Sequence, residues 1–354
     1  MPADTRLKVV LCWHMHQPQY RDLVRGTYQL PWTYLHGIKD YVDMAAHLEA
    51  VPGARAVVNF APILLEQIED YAEQVSAFLN EGAGISDPLL AALASPEPPV
   101  GADARRELVN ACLRADHTRL IDRFPAYRQL ARFAECMGDA EAGVEYLSDR
   151  YLADLLVWYH LAWMGETVRR RDTRIKRLQN KASGFTVADR RLLVSVIGEL
   201  LAGIIGRYRA LADRGQVELS VSPYAHPIVP LLLDIGSARE ALPDVVLPML
   251  EVYPGGRERA RWHVRAAIET FERHFARLPQ GCWPSEGGVS EATLRLLEDH
   301  GFRWAASGQG VLGNSVPQAQ GGDGSAQGAH RPYRLKGGRL GVFFRDDGLS
   351  DLIG

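Results

Sequence analysis

Several features that mark other classes of protein are absent from this 354-residue chain. Its longest apolar runs, such as residues 228–233, fall short of the roughly 20 residues that a membrane-spanning helix needs. The N-terminus has neither an apolar run of signal-peptide length nor a small-residue cleavage site. We therefore expect neither a membrane partner nor a secreted protein.

Excess charge and paired cysteines are also lacking. The 40 basic and 43 acidic residues give a net charge of −3, which provides no attraction for nucleic acid. The four cysteines show neither disulfide-type nor metal-type spacing. These features predict a soluble cytoplasmic protein with reduced thiols and no cofactor.

What the chain does have is an alternation of short apolar runs and longer helical patterns. The runs end in polar, aromatic or turn residues, as buried parallel strands do; they lie at 7–13, 54–60, 216–223, 281–284, 302–307 and 339–344. Helical periodicity fills 152–170, 192–211, 259–275 and 290–300. The alternation predicts an α/β fold with functional side chains at the carboxyl ends of parallel strands.

Other stretches interrupt this pattern. Residues 107–181 are predicted to be mostly helical and to form an insertion between strands. Residues 84–104, with several prolines, and 308–330, rich in Gly, Gln, Ser and Ala, are predicted surface loops. Because the sequence stops a few residues past a predicted strand, we expect it to be truncated there.

The first candidate site is a pair of histidines. His14 and His16 are two residues apart and share one face of a strand. Such a pair can bind a metal ion or the hydroxyl groups of a ligand, or it can be a hydrogen-bonded pair in the core. The neighbouring Gln17, which both donates and accepts, favours a binding site.

An isolated carboxylate follows the fourth apolar run. Glu286 lies between Pro284 and Gly287, near Trp283, which offers an apolar wall for a sugar ring. The alternative is an ordinary first-turn acid of the helix predicted to begin near Ser290, where the helix dipole favours a negative charge.

A second carboxylate follows the last apolar run. Asp346 has Arg345 and Asp347 as neighbours; a like charge raises the pKa of a carboxyl group and an opposite charge lowers it. A raised pKa would suit a general acid, whereas a β-turn with solvated aspartates is the alternative. Two carboxylates at strand ends are the minimum for glycoside hydrolysis, and a retaining enzyme holds them roughly 5–5.5 Å apart.

Four segments in order resemble glycoside hydrolase family 57, the family of α-amylases, 4-α-glucanotransferases, amylopullulanases and α-glucan branching enzymes. They are WHMHQPQY (13–20), GQVELSVSPYAHPIVPLL (215–232), GCWPSEGGVS (281–290) and FFRDDGLSD (343–351). Segments 31–44 and 155–163 also resemble one bacterial branch, so that the resemblance covers nearly the whole chain.

The resemblance implies a fold and a set of roles. The fold is an incomplete TIM-like (β/α)7 barrel over 1–354, and a C-terminal helical domain carrying the family's fifth region is expected to be missing. The activity is retaining chemistry on α-glucans, with Glu286 as nucleophile and Asp346, or the adjacent Asp347, as acid/base. The substrate-binding residues it implies are His14, His16, Gln17, Glu218, His226, Trp283 and Trp304.

Alternatives remain open at this point. The acceptor can be water or a second sugar, which makes the protein a hydrolase or a transglycosylase. The chain can also be a non-catalytic α-glucan-binding protein, or a metal-dependent hydrolase in which His14, His16, His226 and Asp346 bind zinc. The segment WPSEGG departs from the commoner family pattern, in which the acid is followed by Cys.

Overall fold

The computed structural model describes residues 9–137, 146–250, 252–315 and 326–353. Its described residues contain one sheet of six parallel strands in chain order. The strands are β1 (Cys12–Met15), β2 (Ala56–Phe60), β3 (Val217–Val221), β4 (Gly281–Cys282), β5 (Trp304–Gly308) and β6 (Gly341–Arg345). Each overlaps one predicted apolar run, which confirms the α/β prediction; the resemblance implied seven strands.

The chain divides into two compact units. The first comprises Met1–Pro18, Gly53–Leu65 and Tyr208–Gly354, and the second comprises Gln19–Pro52 and Glu66–Arg207. The sheet belongs to the first unit. Its helices are Val229–Leu233, Ile235–Ser237, Ala238–Ala241, Gly256–Phe275, Ser285–Gly287, Glu291–Asp299, Gln309–Ser315, Ala326–His330 and Asp347–Ile353.

The second unit is helical in its described residues. Its helices are Trp32–His36, Gly37–Tyr41, Val42–Ala50, Pro88–Ala94, Ala102–Leu113, His117–Ile121, Pro125–Met137, Asp149–Trp163, Glu166–Arg171 and Thr173–Lys181. The helices Pro62–Glu81 and Val187–Asp213 contain the unit boundaries. Residues 107–181, the predicted insertion, lie within this unit and between β2 and β3 in the chain.

In the core of the first unit, the sheet packs against residues of two helices, Val187–Asp213 and Gly256–Phe275. Phe60, at the end of β2, lies 5.2 Å from Tyr208 and 5.3 Å from Phe275 between ring centroids. All three side chains are fully buried, and burying a large aromatic removes enough apolar surface to contribute about 2–3 kcal/mol. This packing fixes the carboxyl end of β2, beside which the candidate site is built.

The helix after the candidate nucleophile begins and ends as the sequence predicts. Ser290 Oγ accepts a hydrogen bond of 3.2 Å from the Thr293 N–H, which caps the helix Glu291–Asp299. Gly301, with φ of 88°, follows its end. The helical pattern at 152–170 is instead divided at Gly165, because the Asp43 carboxylate accepts the N–H groups of Glu166 (2.6 Å) and Thr167 (3.0 Å) and starts a new helix there.

The prediction of a surface loop over 84–104 was wrong. Asp87, 1% exposed, accepts the N–H groups of Leu89 and Leu90 at 2.9 Å and begins the helix Pro88–Ala94, which buries Leu89, Leu90 and Leu93. Proline at the first helical position removes an N–H that would otherwise lack a partner, so that it favours the helix start. In the second predicted loop, 309–315 is helical and 316–325 lies outside the described residues.

No helix in the described ranges combines the length and the apolar character that a membrane crossing requires.

Candidate active site

Three histidines at the carboxyl ends of two strands form a compact cluster. His14 and His16 come from β1 and the residue after it, and their ring centroids are 5.5 Å apart, as the shared face predicts. His226, in the loop after β3, stacks on His16 at 3.9 Å and on His14 at 5.3 Å. One ring nitrogen from each histidine lies within 4.8 Å of the others.

A buried polar network orients His14. Its Nδ1 lies 2.7 Å from Oδ1 of Asn59, a fully buried residue of β2 that pairs with His14 in the sheet. Asn59 Nδ2 donates to Ser220 Oγ at 3.1 Å, which fixes the amide so that Oδ1 faces His14. Since Oδ1 only accepts, His14 carries its proton on Nδ1 and its Nε2 presents a lone pair.

The same network reaches β4. The hydroxyl of Ser222, fully buried, lies 2.9 Å from Asn59 Oδ1 and 2.8 Å from the carbonyl oxygen of Trp283, and its single hydrogen can be donated to either. Asn59 and Ser222 were not predicted as site residues. A buried Asn inside the apolar run AVVNF was the available signal, because a polar side chain in a core strand needs partners.

The histidines are neutral at pH 7. Burial lowers the pKa of His14 below its ordinary value, and the hydrogen bond to Asn59 opposes the shift. Burial, followed by the charge of His14, lowers the pKa of His16. Burial, with the neighbouring charges of His16 and His14, lowers the pKa of His226 to about 3. A neutral imidazole can both donate and accept, which suits sugar hydroxyls and metal ions alike.

Glu286 lies in a short turn directly after β4. The turn Ser285–Gly287 is closed by a hydrogen bond of 2.8 Å from the Gly287 N–H to the Pro284 carbonyl, and Ser307 Oγ donates to the Gly287 carbonyl at 2.6 Å. Glu286 has φ of 55°, a left-handed conformation that side chains other than Gly disfavour. It precedes the capped helix by a full turn and is therefore not its first-turn acid.

The Glu286 carboxylate faces the histidine cluster. Its Oε1 is 3.8 Å from Nδ1 of His226, while the side chain is 75% exposed. Trp283, from the same strand end, has its ring centroid 6.4 Å from that of His14. The family-like segment 281–290 therefore lies next to the segments 13–20 and 215–232, and an incoming ligand can reach the carboxylate.

Asp346 and Asp347 differ in their surroundings. Asp346 caps the helix Asp347–Ile353: its Oδ1 accepts the Leu349 N–H at 2.9 Å, and its Oδ2 lies 3.4 Å from Nε2 of His330. The Leu349 N–H first, and then His330, hold the pKa of Asp346 below its ordinary value, so the suggested upward shift is not present. Arg345 pairs with Asp347 instead, at 2.9 Å.

Arg345 connects the fourth segment with the third. Its guanidinium carbon is 5.9 Å from the ring centroid of Trp283, a cation–π distance. Gly308, at the end of β5, lies between the two segments: a Cβ there would be 3.4 Å from the Asp347 carboxylate, and a Cβ on Gly287 would be 3.5 Å from the Gly308 nitrogen. The two candidate carboxylate segments thus flank one strand end.

Glu218 and Trp304 bind each other. The Trp304 indole N–H donates to Glu218 Oε1 at 2.6 Å. Glu218 is the second residue of β3 and Trp304 the first of β5, so both lie toward the amino ends of their strands. Gln17 follows His16 and is half-buried. Substrate binding by these residues stays a prediction, and the geometry favours a structural role for the Glu218–Trp304 pair.

Histidines, an aromatic ring and two acids thus lie at the carboxyl edge of a parallel α/β sheet, the edge at which folds of this architecture place their functional side chains. The model of "Glycosyl hydrolase family 57" matches residues 10–354, and the chain belongs to this family. No curated protein shows significant similarity to it.

Several solved structures resemble the chain distantly. The GH57-type branching enzyme of Pyrococcus horikoshii is 18% identical with a TM-score of 0.45, over 96% of this chain and 47% of that one. The α-amylase AmyC of Thermotoga maritima is 12% identical with a TM-score of 0.47, over 97% and 46%. The 4-α-glucanotransferase of Thermococcus litoralis is 12% identical with a TM-score of 0.42, over 98% and 29%. The chain spans less than half the length of each.

Proposed function

We propose that this protein cleaves or transfers α-glucan chains with retention of configuration, using Glu286 as nucleophile and Asp346 as acid/base. The observation that carries the proposal is the position of Glu286: an exposed carboxylate on a strained turn, 3.8 Å from a histidine of the three-histidine cluster. Backbone strain of this kind persists where the surrounding structure enforces it, and it is concentrated at functional sites.

The reaction has two steps. A Glu286 oxygen forms a bond to the anomeric carbon while the glycosidic C–O bond breaks and Asp346 gives its proton to the departing oxygen. Asp346 then takes a proton from water or from a sugar hydroxyl, whose oxygen attacks the anomeric carbon and releases Glu286. Water yields hydrolysis and a sugar hydroxyl yields transfer.

Asp346 needs a proton for the first step. With its pKa lowered by Leu349 and His330, it is ionised at neutral pH in the free protein. A glucan that covers this carboxylate removes water from it, which raises the pKa of a carboxyl group. Glucan binding is therefore coupled to proton uptake.

The neutral histidines are suited to hold the sugar at the cleavage point. His14 offers the lone pair of its Nε2, because its Nδ1–H already donates to Asn59; His16 and His226 carry one donor and one acceptor each, and Gln17 adds an amide. Trp283 offers a ring face for stacking, with His14 nearby on one side and Arg345 on the other.

The decisive experiment compares Glu286→Gln with Glu291→Gln on a linear α-glucan. Both changes neutralise one exposed acid, but Glu291 lies in the following helix and pairs with Arg295. We expect Glu286→Gln to lower turnover by about 10³-fold or more and Glu291→Gln to leave it nearly unchanged. Reducing ends report hydrolysis, and redistribution of chain lengths reports transfer. Normal turnover by Glu286→Gln contradicts the proposal.

The same variants distinguish the proposed enzyme from a glucan-binding protein without activity. It predicts that wild type releases and transfers nothing, and that Glu286→Gln binds glucan as tightly as wild type does. Retention is tested separately by the configuration of the first-formed product, since an inverting enzyme gives the opposite anomer.

A further inference from the structure

One buried ring nitrogen of the histidine cluster has no hydrogen-bond partner in the described part of the chain. It is Nε2 of His226, whose side chain is 7% exposed. A buried polar atom without a partner is destabilising by about 1–3 kcal/mol, so such an atom at a functional site points to a ligand. The left-handed φ of 56° at His226 holds the ring in this place at a further conformational cost.

The tautomer and ring orientation of His14 are fixed in the way that is typical of metal-binding histidines. Its Nδ1–H donates to the Asn59 carbonyl oxygen at 2.7 Å, which leaves Nε2 as a lone-pair donor. Metal ligands of this type almost always donate their second ring N–H to a carbonyl or carboxylate, which fixes the tautomer and the ring orientation. Asn59 is itself fixed by Ser220, so the partner is rigid.

The set of donor atoms suits a divalent transition metal. Imidazole nitrogens are typical ligands of Zn²⁺, in a tetrahedral arrangement that places the ligand nitrogens about 3.3 Å apart. The nearest nitrogens of His14, His16 and His226 lie within 4.8 Å of one another, while Glu286 Oε1 lies 3.8 Å from Nδ1 of His226, the second nitrogen of that ring. Binding therefore requires the His16 and His226 rings, stacked at 3.9 Å, to rotate toward the ion.

We propose that His14, His16 and His226, the last through Nε2, form a divalent transition-metal site, and that the bound ion competes with glucan. The competition rests on the proposed function, because the ion takes the imidazoles that would hold the sugar. Metal binding itself is independent of that function. The ion is in this view an inhibitor of the glucan reaction and not its cofactor.

Binding is tested on the full chain by calorimetric titration with Zn²⁺ and by the visible absorption of added Co²⁺. We expect one equivalent of ion, and affinity reduced by roughly tenfold or more in His16→Gln and His226→Gln. The matched control is His47→Gln, an exposed histidine of the helix Val42–Ala50, which should bind like wild type. Because His226 is buried, His16→Gln decides the result if the other variant fails to fold. Equal affinity in wild type and His16→Gln overturns the site.

Competition is tested by measuring glucan turnover with and without Zn²⁺ and after addition of a chelator. We expect turnover to fall as the site fills, to recover with chelator, and to follow the affinity measured by calorimetry. Stoichiometric Zn²⁺ without inhibition, or a requirement for Zn²⁺, overturns the competition. Tight Zn²⁺ binding by a protein that never acts on glucans leaves the metal site standing and contradicts the proposed function alone.

Discussion

His226 and Glu286 face each other across 3.8 Å, from Nδ1 to Oε1, and both have left-handed backbones, with φ of 56° and 55°. They belong to separate loops, after β3 and after β4. A left-handed backbone at a residue other than glycine costs about 1–2 kcal/mol. The fold carries this strain at both positions, and the strained backbones direct the two side chains toward each other. Each loop would be more relaxed with glycine.

This strain can be measured with two variants that both remove the carboxylate. Glu286→Gly and Glu286→Ala differ by one methyl group, and only alanine keeps the unfavourable left-handed backbone. We expect the glycine variant to be more stable by about 1 kcal/mol, even though glycine normally destabilises through the unfolded state. Urea unfolding of both proteins gives the difference directly. An alanine variant as stable as the glycine variant would show that the turn is unstrained.

The identity of the acid/base is decided by Asp346→Asn and Asp347→Asn. We expect Asp346→Asn to lower turnover of a natural glucan by roughly 10²–10⁴-fold, because the departing sugar oxygen needs a proton. The loss should be much smaller for formation of the glycosyl-enzyme from an aryl α-glucoside with an acidic phenol, which leaves unaided. Asp347→Asn, which removes the Arg345 partner, should retain most activity on both substrates. The opposite pattern assigns the acid to Asp347.

The sequence predicted the strands and the clustering of residues from the first three family-like segments, 13–20, 215–232 and 281–290. It did not predict the features that depend on contacts between residues distant in the chain. The run AVVNF predicts β2, but only the pairing of Asn59 with His14, and its contacts to Ser220 and Ser222, reveals its position beneath the histidines. The pKa of Asp346 was not predictable, because it depends on the Leu349 N–H in the first turn of the helix Asp347–Ile353 and on His330, which sequence spacing cannot place. Glu218 lies within a matching segment, yet it bonds to Trp304.

The ring of Trp304 leaves no room for a side chain at Gly281, the first residue of β4. A Cβ at this position would lie 1.9 Å from the indole, far inside contact distance. We expect Gly281→Ala to destabilise the protein by about 1–3 kcal/mol, because Trp304 must move and lose its bond to Glu218.

The matched control for this change is Gly206→Ala. Gly206 is exposed in the helix Val187–Asp213, and a Cβ there would meet nothing within 4 Å. Alanine should stabilise that helix by about 0.5–1 kcal/mol. Thermal unfolding distinguishes the two, and a Gly281→Ala protein as stable as wild type would show that the Trp304 contact is not a constraint.

A buried histidine of the second unit makes stability depend on pH. His160 is fully buried; its Nδ1–H donates to the Leu156 carbonyl at 2.7 Å, and its Nε2 accepts from the Tyr34 hydroxyl at 2.9 Å. Burial lowers its pKa from 6.5 to about 4, opposed by the Leu156 carbonyl. Protonation would therefore break the bond from Tyr34 and place a charge in the core.

Linkage gives the direction of the effect. Between pH 6.5 and 4 the unfolded chain binds a proton at His160 and the folded protein does not, so the free energy of unfolding falls as pH falls through this window. Above pH 6.5 the neutral His160 does not reduce the free energy of unfolding. Near pH 4 the reduction approaches about 3 kcal/mol, at 1.36 kcal/mol for each unit of pKa difference. We expect His160→Gln to remove this part of the slope and the exposed-site control His47→Gln to retain it. Urea unfolding from pH 7.5 to 4.5 measures all three proteins. Identical slopes in wild type and His160→Gln would mean that this histidine takes up its proton equally well in the folded state.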